Sequence, residues 1–312
     1  MSGADSLLEH LRRSYSAIAE VEATAMLHPH DKWVLASLDA LKRDASNIEA
    51  QWEIECQAAR VEICRYRLLP SLSEHYAIAA VTKSLLDFQE LFSQIYDALK
   101  NGVKKRARIS GEIIDETAFE FGFSYPGSLG IALILPNAAD LIGRKFETAV
   151  DAFMQVLNLR NEDEVKDLAR ALGDAVVKKI YDWSSVNYIS GYSVDITWNT
   201  VDGLKKGGLV DAASLGRIAE IIRRTSDAEH REFRTRGTLV AIDTVKKRFR
   251  FVEPDGVDYS GALGDAFPLH QQWTVNMAYA ATISVDAVTE YATQKTEQTY
   301  KLLTLADIEK SK

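Results

Sequence analysis

Apolar residues recur at spacings of three and four along the first hundred positions, which predicts helices. Leu8, Leu11, Tyr15 and Ile18 share one face of a stretch, 5–25, that contains neither Pro nor Gly. His28-Pro29-His30-Asp31 breaks it, because proline lacks a donor and biases its predecessor away from helix. Asp31 can cap a second helix carrying Trp33, Leu38, Leu41 and Ile48. Residues 61–68 can continue that helix or form a short strand, and Pro70 ends either.

A heptad seam follows behind a Ser71 or Ser73 cap. Ile78, Val81, Leu85, Phe88, Phe92, Ile95 and Leu99 alternate spacings of three and four, and Gly102 stops the helix. Such a stripe ordinarily packs inside its own domain. The sharper reading is an interaction seam, a helix contact with a second copy or another protein.

The period then drops to two. Phe119, Phe121, Phe123 and Tyr125 alternate with small or polar residues, Pro126-Gly127 supplies a turn, and Leu129, Ile131, Leu133 and Leu135 return: a β-hairpin over 118–135. Helices are expected over 144–157 and, capped by Asn161, from there towards Gly191, with Val165, Leu168, Leu172, Val176, Ile180 and Trp183 as the second stripe. Tyr192, Val194, Ile196 and Trp198 alternate as a strand. Gly203, Gly207 and Gly208 with Lys205 and Lys206 read as a loop, and a helix is expected from Asp211 to Arg231.

From Arg236 the pattern is all-β, with strands expected over 238–243, 248–252, 257–260, 274–285 and 298–305. Five short strands fit a small barrel, SH3-like or OB-like. SH3-like is preferred because no helix is evident between the third and fourth. The expected class is α+β: a helical N-terminal module (1–110), a mixed α+β middle domain (111–232), a small antiparallel β-barrel (233–306) and a frayed tail (307–312).

Composition narrows the chemistry more than it names it. The 312 residues carry 37 Lys and Arg against 45 Asp and Glu, a formal −8, which excludes a generally basic nucleic-acid coat. The first residues show no basic segment followed by an apolar one, and no window approaches the ~20 apolar residues a bilayer demands. Two cysteines, Cys56 and Cys64, are too few for a disulfide framework and have no CxxC spacing. A cytoplasmic protein with no membrane contact, no metal and no cofactor is expected.

Charge is locally inverted. Residues 217–250 hold ten Lys or Arg against five acids. Arg234, Arg236, Lys246, Lys247, Arg248 and Arg250 are the candidate phosphate contacts, although Phe249 and Phe251 share the opposite strand face and read as barrel core. Arg224 and His230 have the spacing of a metal-independent ribonuclease pair. In a regular helix, however, positions six apart lie about 240° apart in azimuth. Glu164-Val165-Lys166 has the acid-x-lysine shape of a metal-dependent nuclease, but at a helix start instead of a strand end. Ser128 lacks G-x-S-x-G spacing. None of the six histidines forms a zinc motif, and no phosphate-binding glycine loop exists. The expected function is a non-catalytic intracellular interaction or adaptor protein, with a protein partner or a homodimer through the helices. The alternative is a nucleic-acid-binding protein using the barrel's basic hairpin, and the remotest reading a ribonuclease-like enzyme.

Overall fold

A computed structural model describes residues 3–71, 75–125, 128–135 and 145–308. The chain divides into two compact units, 1–224 and 225–312. The helical module and middle domain expected as separate therefore share one unit. The reason is residues 62–70, which form a strand at the centre of the sheet that the later segments complete.

In the first unit, helices α1 (Gly3–Leu27) and α2 (Lys32–Ala58) form an antiparallel hairpin. Asp31 caps α2, its carboxylate accepting from the Trp33 and Val34 amides. Trp33, expected on the buried stripe, stands 87% exposed. Strand β1 (Glu62–Pro70) follows, then α3 (Ile78–Asn101), a short α4 (Gly111–Thr117) that the sequence pattern did not suggest, and the hairpin β2 (Glu120–Tyr125) and β3 (Leu129–Leu135). The Pro126-Gly127 turn and Ser73 lie outside the described residues, and α3 starts behind Ala77 without the side-chain cap expected from Ser71 or Ser73. Helices α5 (Lys145–Val156), α6 (Glu162–Leu172) and α7 (Asp174–Ile189), strands β4 (Tyr192–Asn199) and β5 (Lys205–Val210), and α8 (Ala212–Arg224) complete the unit.

Two corrections follow from backbone geometry. The continuous helix expected from Asn161 is two helices, because Gly173 adopts φ +92° where a Cβ would stand 2.6 Å from the Lys104 carbonyl oxygen. The glycine-rich loop at 203–208 is in large part strand β5, held by antiparallel pairing to β4 from Asn199↔Lys205 to Val194↔Val210.

The sheet order is β2-β3-β1-β4-β5, antiparallel throughout. Alternation along β1 divides its faces. Ile63 packs with Leu11 of α1 and Trp52 of α2, while Tyr66 meets Phe88 of α3. On that second face Phe92 packs against Phe119, Phe146 and Trp198, an aromatic core. The charged layer lies on the first face, where Arg65 binds Glu49 and Glu53 of α2.

The second unit is a closed five-stranded barrel: β6 (Ser226–Asp243), β7 (Arg248–Val252), β8 (Asp258–Leu263), β9 (Met277–Glu290) and β10 (Thr296–Asp307). Strand β6 pairs with both β7 and β9, and β10 bridges β9 and β8, the latter in parallel. The barrel is thus not wholly antiparallel. No helix separates β8 from β9, as expected, but the first strand pairing with both second and fourth gives the Greek-key order of the OB-like alternative. Leu239, Phe249, Phe251, Ile283 and Leu302 fill its interior.

The helix expected to reach Arg231 stops at Arg224. Residues 226–236 have helix-compatible composition, yet pair residue by residue with β9 from Ser226↔Glu290 to Arg236↔Ala280. Tertiary pairing overrides local propensity, and the barrel begins at 225 instead of 233. Of the expected tail, residues 309–312 lie outside the described residues.

Candidate functional site

The two edges of the first sheet are treated differently. An edge strand presents unpaired amides and carbonyls to any passing chain, and proteins commonly blunt it. Strand β2 carries a bulge between Phe121 and Phe123, and Arg12 of α1 donates from Nε to the Gly122 carbonyl at 2.7 Å and from Nη2 to that of Phe121 at 3.1 Å. Strand β5, at the other edge, pairs with β4 alone, and no strand takes its outer side among the described residues.

A cavity of about 510 Å³ lies beside this open edge, between β5 and α5. Met154 and Leu157 line it from the helix side, Lys206, Gly208 and Val210 from the strand. The register explains which strand residues face it. Lys206, Gly208 and Val210 lie opposite Trp198, Ile196 and Val194, the residues directed at the helical layer. Lys206 Nζ reaches Asp151 Oδ1 at 2.5 Å and Glu147 Oε1 at 3.9 Å, both on α5. Behind it Glu62 is buried, and that burial raises its carboxyl above the usual range against the hydrogen bond from Trp198 Nε1 at 2.5 Å.

The two central glycines have different duties. Gly207 has φ +137°, and a Cβ there would fall 1.9 Å from the Ile196 carbonyl oxygen, so the backbone needs it. A Cβ on Gly208 would meet nothing within 4 Å. Its bare backbone leaves the middle of the groove open.

A second cavity of about 550 Å³ lies between α1 and the β2–β3 hairpin, lined by Tyr15, Phe123, Tyr125 and Ser128 among others. Three of its polar side chains, Arg12, Tyr15 and Ser128, are already engaged. The Tyr15 hydroxyl donates to Glu49 at 2.7 Å and Arg67 Nε donates to Ser128 Oγ at 2.5 Å. Burial pushes the Tyr125 hydroxyl up to about 12.

The residues singled out from the sequence do not converge. In the seam, Phe88, Phe92 and Ile95 are wholly buried in their own unit, Val81, Leu85 and Leu99 are half-buried, and Ile78 is 83% exposed. Arg224 ends α8 in the first unit, where Arg223 and Arg224 together hold Glu220 down to about 2. His230 lies in the second unit on β6, its Nδ1 2.6 Å from Asp286 Oδ1. The hydrogen bonds of His230 and then Lys301 lower the Asp286 carboxyl. The pair expected on one helix is on two elements, each member bound to a different acid.

The barrel cations are spread as well. Arg234 and Arg236 lie along β6, Lys246 and Lys247 in the turn after it, Arg248 and Arg250 on β7. Arg236 and Lys246 are separated by seven strand residues to Asp243 and then the turn, roughly 23 Å of extended chain. Arg250 is occupied, donating from Nη2 to Asp258 Oδ2 at 2.7 Å. Phe249 and Phe251 are buried and offer no stacking platform.

Among the described residues no three His, Cys, Asp or Glu side chains gather to hold a metal. Glu164 serves the start of α6, accepting the Arg160 amide at 2.7 Å beside the Asn161 cap. Cys56 and Cys64 are buried free thiols, and burial pushes Cys56 up to about 12. Among the described residues no helix is long and apolar enough to cross a membrane. Compared with protein-family models, with curated proteins and with solved structures, the chain matches none.

The β5 groove is absent from the sequence reading. Its one local signal is Leu209-Val210 immediately after the glycines and before the Asp211 cap, two apolar residues too few for a periodicity to register.

Proposed function

We propose that this protein binds another polypeptide, as an adaptor without chemistry of its own, and that the β5 edge takes an extended segment of that partner. The observation that carries this reading is the unpaired outer side of β5 beside the α5 groove. Main-chain hydrogen bonds to such an edge supply affinity, and a neighbouring groove sorts side chains. The charged clusters support it from the other side. Arg65, Lys100, Lys104, Glu220 and Asp286 are each ion-paired to a neighbouring side chain.

Displayed random peptides selected on the wild-type protein and then offered to Gly208→Leu test it. Enriched sequences should lose binding to the variant, and their addition should protect the amides of residues 205–210 from exchange. Enriched peptides that bind both proteins alike refute the edge.

One observation favours a second reading, nucleic-acid binding by the barrel. Arg234, Arg236, Lys246, Lys247 and Arg248 have no acid partner among the described residues. Affinity for a single-stranded oligonucleotide should then fall steeply with salt, and the slope should shrink when Lys246, Lys247 and Arg248 are changed to Ala. Unchanged affinity in that triple variant removes this reading.

A further inference from the structure

We propose a second site, independent of the β5 edge: a cavity beneath α2 that binds one small neutral molecule presenting an N–H donor beside an acceptor, the edge that a free pyrimidine or purine base carries.

Register builds its floor. Ile63 of β1 lies opposite Asn199 of β4, and Asn199 lies opposite Lys205 of β5. Residues directly opposite on antiparallel strands share a face. The three therefore form a row across the sheet, on the side where Ile63 packs with Trp52 and Cys56 of α2. Ala50, Glu53, Ile54 and Gln57 face the row from α2, at the spacing of one helix face. The space between is about 290 Å³, just below the roughly 300–1,000 Å³ that holds drug-sized ligands. It suits a guest of one or two rings.

An unmet hydrogen bond identifies the guest. Asn199 is 9% exposed, and its carboxamide oxygen is enclosed with no donor among the described residues. Buried polar groups are ordinarily paired. Leucine has nearly the same shape and would leave nothing unpaired, so packing gives no reason for asparagine here. Its neighbour Thr200 does not supply the missing donor, because that hydroxyl is engaged with the Leu204 backbone inside the turn. A carboxamide offers an acceptor and a donor side by side. The N–H and C=O of a cyclic amide match it, as do the amino group and ring nitrogen of adenine.

Charge and apolar surface set the rest. Glu53 binds Arg65 and Lys205, and Glu49 shares the Arg65 guanidinium, so two acids meet two bases at this end of the sheet. A guest of either charge would upset that balance, and a neutral one does not. Ile54, Val61 and Ile63 supply apolar walls for the faces of a ring.

Saturation-transfer NMR on the full chain tests the site with uracil and with 1,3-dimethyluracil, which keeps the ring and carbonyls but has no N–H. Uracil should bind, and the dimethyl form should bind at least about tenfold more weakly. Uridine, whose sugar adds bulk, should also bind more weakly than uracil. Asn199→Leu should lose uracil binding while its Tm equals or exceeds that of the wild type, since an unpaired buried group is gone. Ala50→Trp, an exposed position on the rim, should close the mouth and lose uracil binding as well. Equal binding of uracil and its dimethyl form overturns the inference, as does uracil binding retained in Asn199→Leu. If Asn199→Leu does not fold, Ala50→Trp decides: retained binding overturns the site. Tighter binding of uridine than uracil overturns the free base as the guest. No uracil signal up to about 10 mM leaves the cavity to solvent and overturns the whole proposal.

Discussion

Arg65 of β1 reaches across to Glu49 of α2, its Nη2 2.6 Å from Glu49 Oε1. The same guanidinium also binds Glu53, one turn further along α2, and Lys205 Nζ lies 3.4 Å from the other oxygen of that carboxylate. One side chain thus ties the helical hairpin to the centre of the sheet, and its removal strands two acids against a protein surface.

Arg65→Met should destabilise the first unit by about 3 kcal/mol at neutral pH, as for other part-buried pairs broken on one side. The pH dependence follows from Glu53. Burial alone would raise its carboxyl, but Arg65 and then Lys205 more than offset that and leave it below the ordinary value. A depressed folded pKa contributes stability that is fully present above the unfolded value of about 4.3 and is lost as pH falls through the lower folded value. The deficit of Arg65→Met, read by urea unfolding, should therefore shrink between neutral pH and about pH 3.5. An equal deficit at both ends contradicts the pairing.

The heptad positions should separate sharply. Phe92 is wholly enclosed by aromatic rings from β4, α5 and the segment before β2. Phe92→Glu buries an unpaired charge there and should prevent folding. Ile78→Glu, at the exposed start of the same stripe, should change stability by no more than about 0.5 kcal/mol. Circular dichroism melts of the two variants check both. If Phe92→Glu folds normally, the core assignment of α3 is wrong.

What could be read from the chain depended on how each element is held. The β2–β3 hairpin was legible because its aromatic and aliphatic residues recur at every second position, although the bulge after Phe121 breaks the match to burial and leaves that ring 56% exposed beside a buried Gly122. The first half of β6 was not: only Phe233 marks its inner face amid Glu229, His230, Arg231, Glu232 and Arg234, and pairing with β9 decides its conformation. Strand β5 was hidden for a related reason. Its glycines contribute backbone hydrogen bonds and no side-chain pattern, and patterns are all that periodicity detects. The candidate groove depends further on α5 lying beside β5, a meeting of segments some fifty residues apart in sequence that no local spacing encodes.

Glu62 should prove a residue the fold tolerates at a cost. It is 2% exposed, and burial, aided by Glu147 and Asp202, raises its carboxyl despite the Trp198 hydrogen bond and Lys206. For an acid whose folded pKa is raised, stability is greatest below the unfolded value and declines as pH rises through the folded one. Glu62→Gln keeps an acceptor for Trp198 Nε1 and removes the charge. Its Tm should exceed that of the wild type at neutral pH, with the gain vanishing by about pH 4. A lower Tm at neutral pH means that the ionised carboxylate is needed, and that Lys206 outweighs burial.

Neighbouring glycines in β5 give the last contrast, because they sit on one strand and differ both in backbone φ and in what surrounds them. At Gly207 any side chain combines a left-handed φ with a Cβ driven into the Ile196 carbonyl, a backbone atom that cannot step aside without breaking the β4–β5 register. Gly207→Ala should cost about 2 kcal/mol or more and should loosen residues 205–210 in hydrogen exchange. Gly208 faces empty groove, and a side chain there also lowers the entropy of the unfolded chain, so Gly208→Ala should leave stability unchanged or raise it by about 0.5 kcal/mol. Matched denaturant titrations of the two alanine variants read the difference directly. Equal losses at both positions would mean that β5 is not paired to β4 in the register described, and the groove beside it would lose its floor.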